Sequence, residues 1–141
     1  MPINNDPLDN AVSPRRAPIQ ILIVEDDYIL AANLQENLES LGYDVSGIAD
    51  TVEAAISQAL QFRPDLVLMD IRLQGELDGI QAAKILWGSL RIPVIYVTGH
   101  SDRSTLERAQ ATLPYGYLLK PVKGPELEVA LATFLHCFES K

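Results

Sequence analysis

The sequence predicts an α/β fold in which a parallel sheet of five strands carries helices on both faces. Three observations support this. Residues 19–24 and 66–69 are continuous apolar runs, too short for helices and of the kind expected of strands covered on both sides. Between such runs the apolar residues recur at helical spacing, so strand and helix alternate along the chain. The connections are short, and alternation of that kind builds a parallel sheet through crossover helices. With 141 residues, 48% of them hydrophobic, and a mean hydropathy of +0.08, the chain has the size and core of one domain.

The elements follow in order. Residues 1–17 hold Asn, Asp and Pro without apolar periodicity and are expected to form a flexible arm, leaving 18–141 as the folded domain. After the first strand, 19–24, Leu30, Leu34, Leu38 and Leu41 mark a helix that Gly42 stops and Asp27 caps. A weaker second strand spans 43–49. Asp50 and Glu53 have capping-box spacing ahead of a helix whose apolar face is Val52, Ala55, Ile56, Ala59 and Leu60. Pro64 ends that helix, and 66–69 is the third strand.

A loop over 73–78 leads to a helix near 79–89. Pro93 opens the fourth strand, 94–97, and Ser101 and Asp102 can cap a polar helix reaching about Thr112. The fifth strand is 117–119. Pro125 stands at the start of the last helix, whose core face is Leu127, Ala130, Leu131, Phe134, Leu135 and Phe138. Trp87 and Cys137 read as packing residues, His136 as helix surface and His100 as a solvated loop residue.

Nineteen acidic against eleven basic residues give a net charge of −8 and a pI of about 4.6. Such a field repels the nucleic-acid backbone and argues against a direct DNA or RNA binder. The single cysteine excludes an intrachain disulfide and a cysteine-based zinc site. Apolar runs fall far short of the ~20 residues a membrane helix needs, and none follows Arg15-Arg16 as an export signal would require. A cytoplasmic protein without membrane insertion is expected.

In open parallel sheets, ligands bind outside the carboxyl ends of the strands. The residues that follow the apolar runs are therefore the candidates for chemistry. Glu25, Asp26 and Asp27 follow the first strand, Asp70 the third, Thr98 the fourth, and Lys120 with Pro121 the fifth. Carboxylates gathered at adjacent strand ends repel one another unless a proton or cation neutralises them. Oxygen-only ligation without nearby His or Cys suits a hard cation such as Mg²⁺, or Mn²⁺ in its place. Such a cation commonly engages phosphate as well. Lys120 offers a point charge to a phosphoryl oxygen, Thr98 a hydroxyl, and Asp70 a carboxylate able to act as a nucleophile. Phosphoryl transfer onto Asp70 is the chemistry these residues outline.

The set Ile21-Leu-Ile-Val-Glu-Asp-Asp27, Val67-Leu-Met-Asp-Ile71, Val97-Thr98 and Leu119-Lys-Pro121 resembles the receiver domain of two-component response regulators. The resemblance runs from about Pro18 to Phe138. It implies a flavodoxin-like (βα)5 three-layer sandwich with strand order 2-1-3-4-5. It further implies Asp70 as phosphoacceptor, with Asp26 binding Mg²⁺ directly, Glu25 as its partner and the backbone carbonyl of Arg72 as a further ligand. Lys120 would contact the phosphoryl group, Thr98 would move toward it, and Tyr117 would be the aromatic switch that follows.

The pattern also departs from the common receiver. The segment from Asp70 to Gly79 is one residue longer than usual, a form that resembles receivers found with hybrid or multi-domain sensor kinases. Gly99 stands where a small residue is usual. Arg72 and His100 occupy the positions that tune phosphate lifetime, and residues 122–125 open the last helix unusually.

The bland readings are helix caps for Asp70 and Asp27, a solvated acidic turn for Glu25-Asp26, and packing for Tyr117. Two rival functions stand beside the main one. A pseudo-receiver would bind partners without phosphorylation. A haloacid-dehalogenase-type phosphatase would need an aspartate where Arg72 stands. The expected partners are a cognate or hybrid histidine kinase, a downstream target protein, and a second copy through the 101–138 face. A stand-alone signalling protein, not an enzyme acting on other substrates, is the resulting expectation.

Overall fold

The computed structural model describes residues 18–73, 75, 77–99 and 102–139. The arm 1–17, His100 and Ser101 lie outside the described residues. The order of elements is β1 (Gln20–Val24), α1 (Tyr28–Ser40), β2 (Asp44–Ala49), α2 (Val52–Phe62), β3 (Leu66–Met69), α3 (Gly79–Leu90), β4 (Val94–Thr98), α4 (Arg103–Gln110), β5 (Gly116–Leu119) and α5 (Gly124–Glu139). All pairings are parallel and the sheet order is β2-β1-β3-β4-β5, as the resemblance implies.

The central strands are apolar throughout because both of their faces are covered. Leu22, Val24, Val67, Met69 and Tyr96 point to a core closed by Ala55 and Ala59 of α2 and Ile80, Ala83 and Leu86 of α3. Ile21, Ile23, Leu68, Ile95 and Val97 point to the opposite core, with Leu34 and Leu38 of α1 and Leu127, Leu131 and Phe134 of α5. The period-2 alternation within each strand thus sorts side chains between two helical layers. In the β1–β2 pairing the register steps over Ser46, between Ile21↔Val45 and Leu22↔Gly47.

Several local expectations are corrected. Asp50 does not cap α2: Thr51 does, its hydroxyl accepting from Ala54 N at 3.1 Å. Asp50 lies one residue too early and instead accepts from the Tyr28 hydroxyl at 3.3 Å. The polar helix α4 ends at Gln110, before Thr112, because the Thr112 hydroxyl turns back to donate to Ala109 O and Leu113 adopts φ 56°. Thr98 is the last residue of β4, not the first after it. Cys137 is exposed rather than packed, since it falls off the buried stripe Leu127, Leu131 and Phe134. Leu60 and Phe138 are likewise largely outside the core, at 54% and 37% exposure.

Two caps fall as expected. The Asp27 carboxylate accepts from Ile29 N and Leu30 N at the start of α1. Asp102 caps α4 by accepting from Thr105 N. Its hydrogen bonds from Ser104 and Thr105 hold its carboxyl down at about 2.

Candidate functional site

The site lies at the carboxyl edge of the sheet, where β1 and β3 are neighbours. Asp70 N donates to Val24 O at 2.9 Å, and Glu25 N donates to Ala49 O at 2.8 Å. These backbone bonds carry the ladder one residue past each strand and hold the acidic side chains in place. One oxygen from each of Glu25, Asp26 and Asp70 lies within 4.8 Å of the others. Glu25 is 2% exposed and Asp70 5%, so both carboxylates are withdrawn from water.

Lys120 arrives from the end of β5 to neutralise them. Its Nζ is 2.6 Å from Glu25 Oε1 and donates to Asp70 Oδ2 at 2.9 Å. The peptide bond from Lys120 to Pro121 is cis. Lys120 N donates to Thr98 O at 2.9 Å, which ties the lysine to the end of β4. Thr98 itself is fully buried.

Burial pushes the Glu25 carboxyl above its usual range, reinforced by the like charge of Asp70. The Lys120 ammonium and the Asp27 N–H, which donates to Glu25 Oε2 at 3.1 Å, only partly offset this. For Lys120, burial acts to lower its value, but bonds and charge from Glu25 and Asp70 together raise it. The asymmetry is physical: one lysine, partly exposed, faces two carboxylates, while Glu25 is sealed in.

Glu25 Oε1 is engaged by the Lys120 ammonium at 2.6 Å, so a single positive charge is shared between two buried carboxylates. Three carboxylates within reach of each other, with one lysine to balance them, form a hard-oxygen donor set that fits a small divalent cation. They do not fit a soft metal, for which no thiolate or imidazole is present in the cluster.

The other expected residues fall around this cluster. Tyr117 stands on β5 in register with Tyr96 of β4, with ring centroids 6.2 Å apart and an interplanar angle of 57°. Burial raises its hydroxyl above the usual range. Arg72 is an exposed residue of the loop after Asp70, and its carbonyl has no described contact that assigns it to the cluster. A Cβ on Gly99 would meet open space.

Two contributors had gone unrecognised in the sequence. A Cβ on Gly79 would sit 1.9 Å from the Asp70 carbonyl oxygen, so only glycine lets α3 start against the backbone of Asp70. The Asp78-Gly79 pair was the available signal. Asp78 caps α3 in a capping box with Gln81 and also accepts from Arg108 of α4 at 2.9 Å, a contact with no sequence signal at all.

A doubly wound 2-1-3-4-5 sheet with an acidic triad and a lysine at its carboxyl edge defines a receiver-type signalling module. The chain belongs to the response regulator receiver domain family, whose model matches residues 21–132. The transcriptional regulatory protein PdtaR of Mycobacterium tuberculosis (strain H37Rv) is 33% identical over 129 residues, 89% of this chain but 60% of that protein. The phyllosphere-induced regulator PhyR of Methylorubrum extorquens is 36% identical over 85 residues, 60% of this chain and 32% of that protein. The chain therefore spans less than two thirds of the length of these curated relatives.

Among solved structures, the signal receiver domain of a modulated diguanylate cyclase from Desulfovibrio desulfuricans is 42% identical with a TM-score of 0.79, covering 84% of this chain and 94% of that one. A CheY-like receiver from Methanospirillum hungatei, at 24% identity and a TM-score of 0.80 over 88% of this chain and 98% of its own, shares the fold. The chain is thus a response regulator receiver domain of a two-component system, a signalling module. Among the described residues no helix is long and apolar enough to cross a membrane.

Proposed function

We propose that Asp70 accepts a phosphoryl group from the phosphohistidine of a histidine kinase, and that the phosphorylated form changes its contacts with a downstream protein. The observation that carries this reading is the position of Lys120 Nζ, 2.6 Å from Glu25 and 2.9 Å from Asp70 at the same sheet edge. A carboxylate nucleophile is useful only where the charge arriving on the phosphoryl oxygens is met, and this ammonium is placed to meet it.

In the transfer, an Asp70 carboxylate oxygen bonds to phosphorus as the P–N bond to the donor imidazole breaks. The imidazole leaves with the electron pair and takes a proton from water. Hydrolysis of the acyl phosphate later returns Asp70 and inorganic phosphate. Glu25, Asp26 and Asp70, with the backbone carbonyl of Arg72, would hold Mg²⁺ or Mn²⁺, which supplies charge neutralisation for the phosphoryl oxygens when bound. Lys120 orients the phosphoryl group by its charge. Thr98 and Tyr117 form the switch, the hydroxyl engaging the new oxygens and the ring of Tyr117 following.

The net charge of −8 disfavours nucleic acid, so the target in this reading is a protein; a cytoplasmic setting belongs to the same reading. Residues 18–141 act as the receiver unit, and self-pairing through the 101–138 face is part of this reading. Incubation with acetyl phosphate and Mg²⁺, followed by intact mass measurement, tests it. One added phosphoryl group in the wild type and none in Asp70→Asn is the expected result. An unmodified wild type that still bound its partners would shift the reading to a phosphorylation-independent binding module.

A further inference from the structure

A second surface lies at the opposite edge of the sheet, away from Asp70. Trp87 and Arg91 at the end of α3, Pro93 before β4, Tyr115 before β5 and Phe138 at the end of α5 line a groove of about 410 Å³. Aromatic rings dominate it. Phe138 stacks on Phe134 at 5.4 Å, Phe134 meets Tyr115 edge-on at 5.4 Å, and the Arg91 guanidinium lies over Trp87 at 5.2 Å. Leu113, in the loop just before β5, is 76% exposed. Nothing in phosphoryl transfer uses these residues, because they sit at the amino ends of the strands.

The occupant is indicated by where the chain enters. Residues 1–17 join the domain ahead of Gln20, at the amino end of β1, the same edge as the groove. Only β3 separates β1 from β4, a lateral distance of roughly 10 Å. Seventeen extended residues reach up to ~55–60 Å, so the groove lies well within range.

The chemistry of the two surfaces also matches. Ile3, Leu8 and Val12 are apolar anchors spaced by Pro2, Pro7 and Pro14, which favour an extended chain of the kind that aromatic grooves bind. Asp6 and Asp9 can meet Arg91. Arg15 and Arg16 are opposite in charge to Asp65, just before β3, whose carboxylate accepts from Gln20 N at 2.8 Å. The last turn of α1 holds no basic residue and its C-cap is Leu41, so its negative dipole end at this edge is left for a cation of the arm.

We infer that the segment around Leu8–Pro14 docks in the groove formed by Trp87, Arg91, Pro93, Tyr115 and Phe138. The arm is too polar to fold alone, yet tethering keeps it at roughly millimolar effective concentration, so a few apolar contacts suffice. The inference does not depend on phosphorylation of Asp70.

Trp87 is the only tryptophan, which makes its fluorescence a direct reporter of the groove. In the full chain, Leu8→Asp with Val12→Asp should raise acrylamide quenching of Trp87 by roughly twofold, as expected for an arm docked most of the time. A red shift of the emission should accompany it. A synthetic peptide of residues 1–17 added to a chain lacking them should restore the shielding. Far-UV circular dichroism and the urea midpoint report that each variant is folded. Equal quenching in wild type and double variant would overturn the inference. So would shielding that survives removal of the arm and grows with protein concentration, since a second copy would then be the occupant.

Discussion

Lys120 Nζ stands 2.9 Å from Asp70 Oδ2, although fifty residues of chain separate them. The same ammonium reaches Glu25, so one cation holds two buried carboxylates together. Replacing Lys120 with Met should leave those charges facing each other. Removing one partner of a buried pair typically costs about 3–5 kcal/mol. The Lys120 side chain is 21% exposed and partly screened, so about 1–3 kcal/mol is expected at pH 7 by urea denaturation. Phosphorylation by acetyl phosphate should fall at least about tenfold. An unchanged urea midpoint would mean that the lysine does not neutralise the cluster.

Mg²⁺ should stabilise the wild type, because a cation that binds only the folded cluster draws the equilibrium toward it. At a hundred times its Kd the gain is about 2.7 kcal/mol. Asp26→Ala should remove most of that gain, and EDTA should reverse it in the wild type. Thermal melts with and without Mg²⁺ check both statements. A variant as responsive as the wild type would exclude Asp26 as a ligand.

Two glycines of α3 should respond oppositely to the same change. Gly79→Ala drives a methyl into the Asp70 carbonyl, where backbone must yield, and should destabilise by about 1–3 kcal/mol while slowing phosphorylation. Gly88→Ala meets nothing within 4 Å inside the helix and should stabilise by about 0.5–1 kcal/mol. Paired urea midpoints decide it.

Tyr96 gives a pH signature. Burial pushes its hydroxyl up to about 12, and it donates to Thr112 Oγ1 at 2.7 Å, since that oxygen spends its own proton on Ala109 O. A value raised above the ordinary 10 means that this contribution is whole below pH 10 and is lost as pH rises through 12. The loss amounts to about 2–3 kcal/mol relative to a residue that cannot ionise. Tyr96→Phe should cost about 1 kcal/mol near pH 7 and show a shallower decline between pH 10 and 12. Parallel slopes in the two proteins would refute the assignment.

The legibility of this protein in its sequence was uneven for physical reasons. Burial on both faces leaves a local mark, so β1, β3 and β4 stood out as apolar runs, whereas β2 and β5, half-covered at the sheet edges, were weaker. Helix caps compete over one or two residues, and Thr51 rather than Asp50 closes α2 because its hydroxyl reaches Ala54 N. Cys137 carried no sign of its exposure, since one position on a helix depends on which stripe the sheet covers.

The sequence by itself determined that strands and helices alternate, and that Glu25, Asp26, Asp70, Thr98 and Lys120 sit at or just beyond strand ends. Those properties follow from local periodicity. That β3 lies beside β1 was implied only by the family resemblance, not by any local pattern. The tertiary structure decided how close that pairing brings the three carboxylates, within 4.8 Å. It also decided that Lys120 crosses to meet them, that Gly79 must lack a side chain, and that Arg108 reaches Asp78. Strand pairing joins residues far apart in the chain, and no local preference encodes a distance across it.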